Sequence, residues 1–312
     1  MVVHLIWFTL GLVGLVAGSE VAVRATGRLA MRLGVPTLVL GLTLTSIGTS
    51  APEIVTNVTV GLNAWLGPTD ASGIAVGNIL GSCLGQITLL LGLAGLIRGL
   101  EGSDDLRRDG TMLLGAIAAF TLAAMDGTVA RWEGALLVVS YLAYLGWLFV
   151  SRPDSASEPV EVEGSGTTDV GRALIALVIV LVSAQVMVGR AVLIAESLAI
   201  DETLVGIGIG FGTGLPELSV AISAVRQRQE GIALGNLLGS NITDPLLSFG
   251  LGAVAHPVSV SLAAVRIDLV FWVAGTVVAV LLMSTRRHLD RQESAVLLVV
   301  FALYVLTRLW VG

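Results

Sequence analysis

The chain has 312 residues, of which 55% are hydrophobic and 13% charged; mean hydropathy is +0.91 and formal net charge −6. That composition excludes a soluble globular domain and sets the chain among polytopic membrane proteins. Three His and the single Cys83 exclude a His/Cys metal cluster or a disulfide framework, and without a basic stripe nucleic acid is excluded as a partner. All seventeen basic residues are arginine. With the high Gly, Ala and Val content, this points to a GC-rich genome, that of a salt-adapted prokaryote.

Residues 2–23 are apolar, with no basic leader and no small-residue cleavage site before Glu20 and Arg24, and read as a retained first helix. Segments long enough to cross about 30 Å of hydrocarbon follow at 36–65, 72–97, 110–127 and 132–151. Five more stand at 172–195, 203–225, 230–255, 267–285 and 293–311. The expected fold is therefore an all-α polytopic membrane protein with ten transmembrane helices. The polar stretch 152–171 reads as a flexible cytoplasmic linker between repeats 1–151 and 172–312.

The arginines set the orientation. With the N-terminus outside, Arg24, Arg28, Arg32, Arg98, Arg107, Arg108, Arg152, Arg172, Arg226, Arg228, Arg286, Arg287 and Arg291 are cytoplasmic. Only Arg131, Arg190, Arg266 and Arg308 are outside. Five helices per half is odd, so the second half must enter the membrane upside down: two inverted-topology five-helix repeats, with both termini outside. Trp7, Trp65, Trp132 and Trp310 fall near helix ends, where indole prefers the interface.

Two motifs recur across the halves. GTSAPE at 48–53 returns as GTGLPE at 212–217, and GNILGSCLGQ at 77–86 as GNLLGSNITD at 235–244. They lie in regions 41–90 and 205–250. A Glu at bilayer depth is costly and marks an ion pathway by default; two at equivalent places of two repeats point to a transporter with its cation site between the halves. Proline before each Glu removes an N–H and disturbs the preceding turn, freeing carbonyls as hard oxygen ligands. The Gly-x-Gly-x-Gly-x-Gly run at 206–212 makes the second such helix thin.

Asn78, Ser82 and Gln86 share one helix face, and Asn236, Ser240 and Asp244 repeat it. Glu53, Glu217, Gln86 and Asp244 form the expected central set, whose clustered carboxylates need cations or a proton. Polar membrane residues also act as helix–helix glue. That reading is preferred for Asn78 and Asn236, stands level with ligation for Ser82 and Ser240, and is poor for the two glutamates. Glu20 and Glu196 read as solvated or paired with Arg, and Cys83 as a packing residue.

The tandem GTSxPE and GNxxGSN motifs resemble the α-repeats of the cation/calcium exchanger superfamily, above all prokaryotic sodium/calcium exchangers. The resemblance implies that Glu53 and Glu217 are the main Ca²⁺ ligands, aided by the carbonyls of Thr49 and Thr213. Ser50, Ser82 and Ser240 would serve flanking Na⁺ sites. Asp244 matches the acidic residue of the family's central diamond, and Gln86 stands at the equivalent place in the first half. Transport would follow alternating access, with the first and sixth helices sliding across the rest.

Four residues depart from the pattern. Gly214 stands where Ser is usual, Gln86 where Asn or Asp is usual, Cys83 where Asn is usual, and Gly85 replaces a bulky residue. They leave a K⁺-using, H⁺-using or reduced-stoichiometry exchanger open beside Ca²⁺/Na⁺ antiport. A passive cation channel is the rival from another class. An intramembrane hydrolase lacks a suitably placed base or zinc site, and no phosphate-binding glycine loop is present. The expectation is a multi-pass protein of a prokaryotic plasma membrane, not an enzyme, with Ca²⁺ and Na⁺ as cargo, no cofactor and no obligate protein partner.

Overall fold

The computed structural model describes residues 2–66, 72–101, 106–150, 165–197, 214–286 and 288–311. It is mostly helical, with eleven helices among those residues. The first six are α1 (Val2–Leu33), α2 (Thr37–Thr49), α3 (Ala51–Leu66), α4 (Ser72–Arg98), α5 (Leu106–Ala123) and α6 (Arg131–Val150). Then come α7 (Gly166–Ser197), α8 (Leu215–Arg226), α9 (Glu230–Ala255), α10 (Leu262–Arg286) and α11 (Arg291–Val311).

Among the described residues five helices are long and apolar enough to cross a membrane: α1, α4, α7, α10 and α11; α2 and α3 count as a sixth span interrupted at Ser50. The expected single helix over 36–65 is thus two pieces, because Pro52 cannot donate to the preceding turn. Helix α9 falls short in hydropathy because Ser240, Asn241, Thr243, Asp244 and Pro245 occupy its middle. α7 begins at Gly166, inside the stretch read as linker, and the expected helix over 203–225 is described only from Leu215. The run 206–212 lies outside the described residues.

The chain forms two compact units, Met1–Thr49 with Ser155–Asn236, and Ser50–Asp154 with Leu237–Gly312. In the first, α1 and α7 are both 32 residues long and run antiparallel. Glycines hold them close. A Cβ at Gly11 would lie 3.0 Å from the Ser183 carbonyl, and one at Gly18 would lie 3.2 Å from that of Ala176. Buried Asp169, one turn into α7, accepts from Arg28 at 2.9 Å and Arg32 at 2.8 Å near the end of α1.

Helix α8 packs on α1 through Ser19 Oγ and Ser223 Oγ, 3.1 Å apart. It ends in a Schellman-type turn, with Gln229 N donating to Ala224 O at 2.8 Å across Arg228 at φ 57°. A non-glycine residue there costs about 1–2 kcal/mol. Arg228→Gly is therefore expected to raise the melting temperature of the purified protein without changing transport, and a lowered one would show that the Arg228 side chain contributes contacts outweighing the strain.

The second unit is centred on Phe120, Phe249 and Trp272, whose rings meet edge to face at 5.0 and 5.9 Å. Gly134 of α6 and Gly250 of α9 touch through their backbones; a Cβ on Gly134 would lie 2.8 Å from the Gly250 carbonyl. Two short antiparallel ribbons close the helix ends. β1 (Leu100–Glu101) pairs with β4 (His288–Leu289), and β2 (Thr128–Val129) with β3 (Val258–Ser259). Each ribbon takes one strand from each half of the sequence. Helix α11 starts with a capping box, Asp290 N to Glu293 Oε2 at 3.0 Å and Glu293 N to Asp290 Oδ1 at 2.8 Å.

Candidate functional site

Both motif glutamates are buried and both stand in the first turn of a helix, Glu53 in α3 and Glu217 in α8. The positive end of the helix dipole favours a carboxylate there. The two turns are built alike: Ile54 N donates to Ser50 O at 3.0 Å, and Leu218 N to Gly214 O at 3.0 Å. The amide of Asn78 reaches the Glu53 carbonyl at 3.5 Å, and that of Asn236 reaches the Glu217 carbonyl at 3.4 Å. Asn78 and Asn236 thus bond helix to helix, as expected, and each does so at the backbone of a motif glutamate.

In the first unit Asn236 also accepts from Thr49 Oγ1 at 2.9 Å, tying the end of α2 to the start of α8. Thr49 and Asn236 are fully buried. Thr213, the expected counterpart of Thr49, lies outside the described residues. Gly214, at φ −82° and ψ 3°, occupies the place Ser50 holds in the first half.

The second unit contains a polar chain that the sequence did not reveal. Ser82 Oγ and Gln86 Nε2 both donate to Asp244 Oδ2 at 3.1 Å. Gln86 Oε1 in turn accepts from Asn241 Nδ2 at 3.0 Å, and Asn241 Oδ1 accepts from Trp272 Nε1 at 3.1 Å. Gln86 and Asp244, equivalent in the two repeats, are therefore bonded to each other. Both lie at the start of a π-helical turn, Gln86 second in Gly85–Leu90 of α4 and Asp244 first in Asp244–Ser248 of α9. Such turns displace the i→i+4 ladder and occur preferentially at functional sites. A third, Gly41–Thr45, precedes the first motif in α2.

Asn57, one turn after Glu53, donates to Ser248 Oγ at 2.7 Å, and Tyr141 OH meets Thr243 Oγ1 at 3.0 Å. Ser50 and Ser240 are fully buried. Among the described residues no group of three or more His, Cys, Asp or Glu side chains is placed to hold a metal ion.

Asn241, Trp272 and Asn57 were missed by sequence reasoning. Asn241 had a signal, the motif Asn that Cys83 replaces in the first half. Trp272 had none, since a Trp in mid-span reads as bulk until its indole N–H is seen to have a partner. Trp272→Phe keeps the ring stacking but leaves Asn241 Oδ1 without its donor. It is expected to cost about 1–3 kcal/mol, read as lower thermal stability and altered Na⁺ dependence of transport. An unchanged protein would mean that water replaces the indole.

A family model described as sodium/calcium exchanger protein matches residues 3–150 and 169–310. The sodium/calcium exchanger MaX1 of Methanosarcina acetivorans is 28% identical over 99% of each chain. The inner membrane protein YrbG of Escherichia coli is 35% identical over 79% of this chain and 78% of its own. Among solved structures, the sodium-calcium exchanger NCX_Mj soaked with Na⁺ and Sr²⁺ superposes with a TM-score of 0.84 at 27% identity, covering 97% of this chain and 98% of that one. The exchangers among these are transporters, not enzymes.

Proposed function

Because the chain belongs to the sodium/calcium exchanger family, we propose that it is a secondary active antiporter that moves Ca²⁺ against Na⁺ by alternating access. The inverted repeats are 1–151 and 172–312, ten membrane passages in all, with both termini outside a prokaryotic plasma membrane. The observation that carries the reading is the matched construction around Glu53 and Glu217: buried, in a first helical turn, each with its carbonyl held by an equivalent Asn. Two carboxylates balance one Ca²⁺, and Na⁺ drawing on the same two excludes it, so exchange follows from competition.

Thr49 and Thr213 add carbonyls to the Ca²⁺ site. Ser50, Ser82 and Ser240 supply hydroxyls to Na⁺, and Asp244 with Gln86 completes the central set. Asp244 is neutralised by a proton or a cation during the cycle, since a lone buried carboxylate is too costly to keep charged. Helices α1 and α7 are the moving pair.

The test is ⁴⁵Ca²⁺ uptake into proteoliposomes preloaded with Na⁺, K⁺ or choline, with and without a proton ionophore. Uptake that needs internal Na⁺ and ignores the ionophore is expected. Uptake driven by K⁺ or a pH gradient would replace Na⁺ as counter-ion, and non-saturating flux without a counter-ion would make the protein a channel. Gly214→Ser introduces a hydroxyl at a backbone conformation open to any L-residue. It is expected to raise apparent Na⁺ affinity; an unchanged Na⁺ dependence would mean that this position contributes no ligand.

A further inference from the structure

A second polar site lies well away from the motifs, where the end of α1, the start of α7 and the turn after α8 meet within the first unit. A cavity of about 450 Å³ opens there, lined by Arg24, Arg28, Arg172, Gln227 and Gln229; Gln227 Nε2 donates one hydrogen to the Glu20 carbonyl at 3.2 Å and has a second to offer. Among the described residues, Asp169 faces Arg28 at 2.9 Å and Arg172 at 3.7 Å, and the half-exposed Glu20 faces Arg24 at 3.0 Å. The three arginines of the cavity thus share two carboxylates, and Asp169 also accepts from Arg32 at 2.8 Å. The buried Arg28 Nε has no hydrogen-bond partner among the described residues.

The cavity wall is completed by Val21 and Met31, both exposed apolar side chains. A pocket that joins spare arginines and amide donors to an apolar lip fits a ligand with an anionic head and a hydrocarbon tail. The turn that supplies Gln227 and Gln229 is also the one strained at Arg228, and such strain collects at ligand sites.

We propose that this pocket binds the phosphate of an anionic phospholipid headgroup, with Arg24, Arg28 and Arg172 as its charge partners and Gln227 and Gln229 as neutral donors. Because the same pocket joins α1, α7 and α8, the bound lipid fastens the three helices together and stabilises the first unit.

Thermal unfolding of the full-length protein in a neutral detergent tests this, with dihexanoylphosphatidylglycerol, dihexanoylphosphatidylcholine or inorganic phosphate as titrant. The phosphatidylglycerol is expected to raise the melting temperature saturably, and the phosphatidylcholine to leave it unchanged. In Arg24→Gln/Arg172→Gln the apparent affinity for phosphatidylglycerol should be about thirtyfold weaker, from the attraction of two arginines for an anionic lipid. Both side chains are more than half exposed, so the variant should fold. Arg98→Gln/Arg226→Gln removes the same charge outside the pocket and should keep the full response. Equal shifts with both lipids, loss of the response in the control pair, or its survival in the pocket pair would each overturn the proposal. An equal shift with inorganic phosphate would make the ligand a soluble anion instead of a lipid.

Discussion

Glu53→Gln and Glu217→Gln are each expected to abolish Na⁺-dependent ⁴⁵Ca²⁺ uptake. Glutamine keeps the shape of the side chain and removes one of two formal charges, in a buried setting where water cannot replace it. Removing one partner of a buried charge pair costs about 3–5 kcal/mol, which corresponds to roughly 10²–10⁴-fold in ion affinity. The melting temperature of each ion-free variant is measured beside its flux. That separates lost binding from lost folding. Because the two glutamates are built alike, the two losses should be of similar size. Undiminished flux in both variants would remove the carboxylates from the site, and a loss in one alone would end the symmetric reading.

Gly235→Val is expected to prevent assembly of the first unit. A Cβ on Gly235 would run into the Leu38 carbonyl and stand 2.7 Å from Leu42 N and 2.8 Å from Gly41 Cα. These are backbone atoms of α2, which no rotamer change can move aside. Overpacking at side chains costs about 1–3 kcal/mol, and displacing a backbone costs more. The neighbour Asn236, which ties Thr49 to Glu217, would move with it. The measurement is the yield of monodisperse protein and its melting temperature. Gly146→Ala in α6, where a Cβ meets nothing within 4 Å, serves as the control expected to retain both. A Gly235→Val protein that melts normally would show that α2 and α9 can separate without cost.

The elements most legible in the sequence were those governed by local rules. Apolar length alone announced α1, α4, α7, α10 and α11, because the bilayer demands about 20 apolar residues per span. The motif repeats singled out Glu53 and Glu217, and both are buried in the first turn of a helix. The interruption at Ser50 followed from Pro52. Trp7, Trp65, Trp132 and Trp310, expected near helix ends, are exposed.

What the sequence determined by itself, then, was a membrane protein of two related halves with a carboxylate in each, because hydropathy, proline and repeat spacing act along the chain. The tertiary structure decided which polar groups meet. Gln86 is expected in the central set from its place in the motif; only the structure shows its amide bridging Asp244 and Asn241. Asn78 and Asn236 have the helix–helix bonding role expected of them, and the tertiary structure names their partners, the carbonyls of Glu53 and Glu217. The strands that exchange between halves, the indole of Trp272 on Asn241 and the arginines around Asp169 join residues tens to hundreds of positions apart. A hydrogen bond depends on distance and direction in space, and neither is written in the order of residues along one helix.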